Sequence, residues 1–450
     1  MIKMMTKAFY LRALRFLSKI ELRKNKNAII IGITGSSGKT TSKELLVGML
    51  KPHYKERLKS TKKGNSETGI PYEILNIPVR HYRMWEYPLV LLKGISTILF
   101  SHQHYDVFVI EYGIDSPHSP QNMEYLLSIV KPHIGVLLSI SPVHGSQFDN
   151  AISSSITGES RLHEVNQTIA LEKAKLLSSI PQTNNALVTQ QAAAYISTES
   201  LKHMTVITNK DVENTIAEWE NTSEGISFAV NTSKGKISTF IPNIVLPSAA
   251  KMTITIATRI LSLLKKDLRT SLAKLPENYA PDPGRSTLLP GLENSIIIDS
   301  SYNANPMAAV ELFSVCKEVA RKGRRKKIIV LGDLRELGTI EKQEYERVVT
   351  AAAKASDILI LTNSNMKNFG IPAAEQAGKT LNENLYWFEN GKQLSFHILE
   401  VIEPQSVVLF EGSQNTVFLE YAVKELCANK DPEFVLRNIP RMTKDWLEIK

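Results

Sequence analysis

Apolar residues in this chain fall in short runs closed by glycine, proline or polar clusters. Residues 28–31, 107–111 and 134–138 are such runs and read as buried parallel strands. Residues 43–50 and 123–130 carry apolar positions at helical spacing between them. Strands alternating with helices predict a doubly wound α/β domain, whose ligands lie beyond the carboxyl ends of the strands. From about 186 to 245 the strand-like runs are shorter, 204–208 and 226–230 among them. They either finish the same sheet or add a β-rich layer. Helices are predicted over 254–264 and 268–275, and Pro281-Asp-Pro-Gly284 is a hinge signal. A second α/β pattern follows, with strands at 295–299, 327–331, 358–361 and 406–409. The polar stretch 146–166 reads as a loop or mobile insertion. The organisation predicted is a basic N-terminal helix (1–26), a central domain (27–280) and a smaller C-terminal Rossmann-like α/β domain (281–450).

A length of 450 residues allows two or three domains with substantial cores. Only two cysteines, Cys316 and Cys427, are present, which excludes a disulfide framework and suits a reducing cytoplasm. The net charge of +9 suits an anionic partner, such as a nucleotide, a nucleotide-sugar or an acidic membrane surface. There is no basic stripe with interleaved aromatics, so no nucleic-acid partner is expected. The longest apolar stretch, 88–100, is interrupted by Lys93 and is too short to span a bilayer. Two placements fit the basic amphipathic segment 1–26: its apolar face packed on the body of the protein, or a peripheral contact with an anionic membrane. A monomer is expected.

The most informative chemistry sits after the first strand, in Gly32-Ile-Thr-Gly-Ser-Ser-Gly-Lys-Thr-Thr41. A strand, a glycine-rich turn and a helix start together form a phosphate loop: backbone N–H groups point inward and the helix terminus adds partial positive charge. Thr34, Gly35, Ser36, Ser37, Gly38, Lys39, Thr40 and Thr41 are therefore the candidate ATP-binding residues, with Lys39 reaching the outer phosphates and Thr40 holding magnesium. Glu111 ends an apolar strand and is a candidate magnesium ligand, since that ion prefers oxygen. His144 also follows a strand. The alternatives are an exposed loop acid and a structural histidine.

The Gly-x-Thr-Gly-x-x-Gly-Lys-Thr spacing is not that of the common phosphate loop. It resembles that of the Mur ligases and the related folylpolyglutamate synthetases, which use ATP to join an amine to a carboxylate. The resemblance extends over most of the chain. Gly64-Asn-Ser-Glu-Thr-Gly-Ile-Pro71, Glu111-Tyr-Gly113, Asp299-Ser-Ser-Tyr-Asn-Ala-Asn-Pro306 and Val330-Leu-Gly-Asp-Leu-Arg-Glu-Leu-Gly338 are similar to motifs of the Mur branch that adds D-alanyl-D-alanine to a muramoyl-peptide. The resemblance implies a cytoplasmic ligase of peptidoglycan precursors that uses ATP and two Mg2+ ions and forms an acyl phosphate. It gives Glu111 and His144 to a second magnesium, and a carbamylated lysine to the segment Glu172-Lys-Ala-Lys-Leu176. Lys175 is the choice there and Lys173 its rival. Arg285 is implied to reach the phosphates from the second domain, with Asn303, Asn305 and Pro306 lining the adenine side. Domain closure is expected to assemble these parts and exclude water.

Four departures from the family's pattern stand out. The phosphate loop begins at Gly32, so the family's N-terminal domain that grips the UDP-sugar is expected to be absent. The family's double Asp is Asp299-Ser300, 247–254 lacks a Gly-x-His, and a late Lys-Gly-Ser-Arg is Glu411-Gly-Ser-Gln-Asn415. Rival readings are a ligase for another acceptor, of polyglutamate or pseudomurein type, a degenerate ATP-binding regulator, and a general phosphate-loop ATPase or kinase.

Overall fold

The computed structural model describes residues 2–443, except 143–144, 151, 154–155, 157, 182–184, 209–213, 335–336, 338–339 and 414–415. Two compact units emerge, residues 1–212 with 252–279, and residues 213–251 with 280–450. The break at 279/280 falls at the predicted hinge. Residues 213–251, expected in the central domain, cluster instead with the C-terminal residues.

The first unit is built on a six-stranded sheet. Its strands are β1 (Ile29–Thr34), β2 (Leu58–Ser60), β3 (Val107–Glu111), β4 (Ile134–Leu137), β5 (Ala186–Thr189) and β6 (Thr205–Ile207), in the order β2-β3-β1-β4-β5-β6. Every pairing is parallel, and β3 to β5 are buried along their whole length. That is why these strands read as unbroken apolar runs rather than as alternations. The strand order reverses about β1, so the crevice for a ligand opens at its carboxyl end.

The helices of this unit are α1 (Ile2–Arg23), α2 (Lys39–Tyr54), α3 (Gly69–Ile74), α4 (Tyr87–Phe100), α5 (Met123–Ile129), α6 (Gly145–Asp149) and α7 (Gly158–Ser178). The stretch expected as a mobile loop therefore carries α6 and the start of α7. Arg161 organises it: its guanidinium donates to Asp149 Oδ1 at 2.7 Å and to the carbonyls of Asp149, Ser153 and Ile156 at 2.9–3.1 Å. Val165 and Ile169 pack into the core beneath. Ser160 and His163 are exposed on α7, whereas Asp149 and Asn166 are buried polar residues.

The second unit carries two sheets. β7 (Asn214–Asn221), β8 (Gly225–Thr232) and β9 (Gly235–Pro242) form an antiparallel meander, the β-rich layer. β10 (Thr287–Pro290), β11 (Ile296–Ser300), β12 (Lys327–Leu331), β13 (Ile358–Thr362), β14 (Leu385–Phe388) and β15 (Val407–Glu411) form the other, in the order β10-β11-β15-β12-β13-β14. Only the edge strand β10 runs antiparallel. Among the described residues no helix is long and apolar enough to cross a membrane.

Candidate active site

The phosphate loop links β1 to α2. Gly38 sits at the helix start with φ 77°, a left-handed conformation that glycine adopts without steric cost. Lys39, Thr40 and Thr41 form the first turn of α2, where backbone N–H groups have no acceptor within the helix. Thr34 is buried at the end of β1 and its hydroxyl donates to the carbonyl of Tyr112 at 2.9 Å. The loop is braced by the segment just after β4: the Ser36 amide donates to the Ser139 carbonyl (2.8 Å) and the Ser37 amide to Ser139 Oγ (2.9 Å). Lys39 folds back over the loop, its ammonium donating to the carbonyls of Gly35 (2.8 Å) and Ser36 (3.2 Å).

Glu111, at the end of neighbouring β3, is the centre of the arrangement. The Thr40 hydroxyl lies 3.2 and 3.4 Å from its two carboxylate oxygens, Asn65 Nδ2 donates to Oε1 at 3.1 Å, and Lys43 Nζ lies 3.6 Å from Oε2. Both Lys43 and Glu111 are buried. Burial pushes the Glu111 carboxyl up. The charges of Lys39 and Lys43, with the donors Asn65 and Thr40, outweigh it and hold the group below the usual carboxylate range. Glu111 is thus an anion kept ionised in a dry place. Lys43, one helical turn after Lys39, and Asn65 are partners that pattern reading did not assign. The repeat of lysine at i and i+4 on α2 was the available signal.

Asn65 is held by a built loop. Glu73 Oε1 accepts from the amides of Lys62, Lys63 and Gly64 at 2.8, 2.9 and 3.2 Å. A Cβ on Gly64 would lie 2.3 Å from the carbonyl oxygen of Gly69, so only glycine lets the two ends of this loop pinch together. The Gly113 amide closes onto the Asn65 carbonyl at 2.8 Å.

On α7 the two candidate lysines diverge. Lys175 lies on the outside, its side chain 47% exposed and ion-paired with Glu172 at 2.5 Å. Lys173 is buried. Burial drives its ammonium well below the usual lysine range, and the charge of Lys39 adds to this, partly countered by Asp115, Glu111 and Glu172. The structure therefore brings Lys173, not Lys175, into the electrostatic neighbourhood of Lys39 and Glu111. The helical period explains the difference, since residues two apart lie on different faces. His144 lies outside the described residues. Among the described residues no group of three or more His, Cys, Asp or Glu side chains could by itself hold a metal ion.

The second unit holds the remaining candidates. Arg285 stacks over the Tyr302 ring at 4.7 Å, and its Nε is buried without a hydrogen-bond partner. Asn303 is exposed. Asn305 caps the helix Pro306–Gly323 by accepting from the Ala308 amide at 3.0 Å, and Pro306 opens that helix. This gives Asn305 and Pro306 a structural duty of their own. Nearby, Arg441 makes a buried two-pronged pair with Glu420 (2.7 and 2.8 Å) and donates to the Ser301 and Tyr302 carbonyls. At the ends of adjacent strands lie two buried acids. Burial pushes Asp299 up to about 6 and Glu411 up to about 8; the charge of Glu420 adds to the rise of Asp299, and that of Asp299 to the rise of Glu411.

Comparison with known proteins agrees with this architecture. Residues 33–246 match the Mur ligase middle domain and residues 284–414 the Mur ligase glutamate ligase domain. The middle-domain match runs past residue 212, where the first compact unit ends, and takes in the antiparallel meander. A UDP-N-acetylmuramoyl-tripeptide–D-alanyl-D-alanine ligase of Escherichia coli is 22% identical over 415 residues, covering 91% of this chain and 79% of that protein. The ligase of the same name from Bacillus subtilis is 22% identical over 430 residues, 92% and 79% of the two chains. Among solved structures, MurF from Acinetobacter baumannii superposes with a TM-score of 0.69 at 21% identity, covering 92% of this chain and 79% of that one. A MurF ligase of Thermotoga maritima in complex with ADP gives 0.66 at 17% identity, covering 92% and 83%. With both domain models matched in order across most of its length, the chain belongs to the Mur ligase family.

Proposed function

We propose that this protein is an ATP-dependent peptide ligase of peptidoglycan precursor synthesis that joins D-alanyl-D-alanine to the terminal carboxylate of a muramoyl-tripeptide. ATP passes its γ-phosphoryl group to that carboxylate, the amine attacks the acyl phosphate, and ADP and phosphate leave. The observation that carries this reading is Glu111, buried and ionised beside Thr40 and the two lysines of the phosphate loop helix. A phosphoryl transfer needs cations around the spreading negative charge and little covalent help from the protein.

The residues present fit magnesium. An ionised carboxylate and a hydroxyl in mutual contact are hard oxygen donors, and this ion is commonly held by one or two carboxylates plus phosphate oxygens. When bound, magnesium neutralises phosphate charge. The chain's own part is assigned as follows. Lys39, which now covers its own loop carbonyls, exchanges them for the outer phosphates. Thr40 and Glu111 would supply oxygens to the metal, and Lys43 with Asn65 keeps Glu111 ionised and aimed. His144 and Arg285 retain the roles the resemblance gives them.

The carbamate belongs on Lys173. A neutral amine is needed: its lone pair attacks the carbon of CO2 and one N–H proton is lost to solvent. Burial next to Lys39 favours that neutral amine. The product would exchange a cation for a carbamate oxygen able to serve as a magnesium ligand. Lys175 instead points outward, exposed and ion-paired with Glu172.

Purified protein should release phosphate from ATP only when a UDP-muramoyl-tripeptide and D-alanyl-D-alanine are both supplied. Release with glutamate and a folate instead would favour the polyglutamate reading, and tight ATP binding without turnover for any acceptor would favour a regulator.

A further inference from the structure

The site leaves one large feature unexplained, the outer face of α1 and α4. Among the described residues, Tyr10 stacks on Tyr87 with ring centroids 3.8 Å apart, a Cβ on Gly94 would lie 3.3 Å from Leu17 Cδ1, and Lys24 Nζ donates to the Ser101 carbonyl at 3.1 Å. Each contact is one heptad after the last on both helices. The two therefore run parallel and in register, clamped by Tyr10, Leu14, Leu17, Tyr72, Leu75, Ile77 and Val90 beneath them.

The opposite faces are apolar and open. Among the described residues of α1 the exposed positions are Met5, Lys7, Ala8, Phe9, Arg12, Phe16, Lys19 and Arg23, and Met5, Phe9, Arg12, Phe16, Lys19 and Arg23 form one stripe spaced by three and four. On α4 and the turn before it, Trp85 (69% exposed), Leu89, Leu92 (60%), Ile95, Leu99 (63%) and Phe100 (74%) are all open to water. Half-buried Leu91 and Ile98 pack at the base of this ridge. In the heptad frame Phe9 and Phe16 immediately precede the contact residues Tyr10 and Leu17. Leu92 and Leu99 stand two residues before Gly94 and Ser101. Both rows border one side of the seam between the helices. An open apolar surface of this kind marks an interaction site.

Charge identifies what covers it. Residues 1–26 carry eight lysines and arginines and one acid, Glu21. Glu21 is buried and paired with Lys24 at 3.0 Å. The acid nearest α4, Glu86, is paired with Arg80. The apolar rows are thus bordered by Lys7, Arg12, Lys19 and Arg23 on α1 and Lys93 on α4, with no free acid among these exposed positions. A second copy would bring like charges together. An anionic bilayer surface matches both halves: leucines, phenylalanines and a tryptophan enter the acyl boundary while the basic groups meet phosphate headgroups.

We infer that the parallel pair α1–α4 is an interfacial anchor that seats this protein on an anionic membrane surface without crossing it. This goes beyond the ligase reading and does not depend on it. The test is co-sedimentation of the full chain with vesicles of phosphatidylcholine, with and without phosphatidylglycerol, following the emission of Trp85 against a Trp85→Phe control. Binding to the anionic vesicles, weakened by salt and accompanied by a blue shift absent from the control, is expected. The double variant Leu92→Ser/Leu99→Ser should weaken it at least about tenfold. Arg12→Glu/Lys19→Glu should remove the preference for phosphatidylglycerol. Both leucines face water, so phosphate release with soluble substrates should be unchanged in Leu92→Ser/Leu99→Ser, which separates failure of the anchor from failure of the ligase. Absence of binding to either vesicle overturns the anchor, as does a dimer in solution dispersed by the same leucine variant.

Discussion

Glu111 and Glu411 occupy the same topological place, one in each compact unit. Each is the last residue of a buried parallel strand, at the carboxyl edge of a six-stranded sheet. Their chemistry is opposite. Glu111 is held ionised because two lysines, an amide and a hydroxyl converge on it. Glu411 keeps its proton up to about pH 8, because burial is reinforced by a second carboxyl, Asp299, and only Ser300 works the other way. A strand-end acid is therefore not a metal ligand by virtue of its position. The neighbours supplied by other segments decide whether it offers an anion or a proton.

The contrast can be broken most severely at the phosphate loop. Lys39→Ala removes a cation from both the triphosphate and Glu111, and phosphate release should fall by about a thousandfold or more in a coupled assay. Next comes the lysine pair on α7. Lys173→Ala should lose acyl-phosphate formation, about a hundredfold or more, while nucleotide still binds, and wild-type turnover should depend on bicarbonate. Lys175→Ala should turn over nearly as wild type, and the reverse pattern would return the carbamate to Lys175.

Glu111→Gln sharpens the comparison through stability. It leaves Lys43 buried without its carboxylate, which should cost about 3–5 kcal/mol in denaturant unfolding. The pH dependence then has opposite signs at the two acids. Glu111, with a lowered folded-state value, contributes stability that is present above the ordinary carboxylate range and lost as pH falls through its folded value. Glu411, raised from 4.5 to about 8, contributes most below 4.5. Its contribution drains away as pH rises to about 8, because the unfolded chain releases the proton first. Glu411→Gln should flatten the fall in unfolding free energy between about pH 5 and 8. An unchanged slope in that variant would mean that Glu411 is ionised in the folded protein.

Much of this was legible in the chain itself. The strands at 107–111, 134–138 and 327–331 lie in the structure within a residue of where their apolar runs put them, and the run at 28–31 marks the start of β1, which continues to Thr34. Buried parallel strands leave that signature whatever surrounds them. The loop Gly32–Thr41 was equally readable, because its glycines and Lys39 act through local backbone geometry. The stretch 146–166 was misread for the converse reason. Arg161 ties α7 back to Asp149, Ser153 and Ile156, a pairing that composition does not reveal.

What the sequence by itself determined is therefore the set of elements and the kind of chemistry: a phosphate loop, a strand-end carboxylate and a lysine-bearing helix. Tertiary structure alone decided which lysine of α7 is buried, which donors reach Glu111, why Glu411 keeps its proton, and that α1 and α4 share one apolar face. The physical reason is range. Backbone propensity and apolar periodicity act over a few residues, whereas burial and the Coulomb field at a titratable group are set by segments brought together from distant parts of the chain.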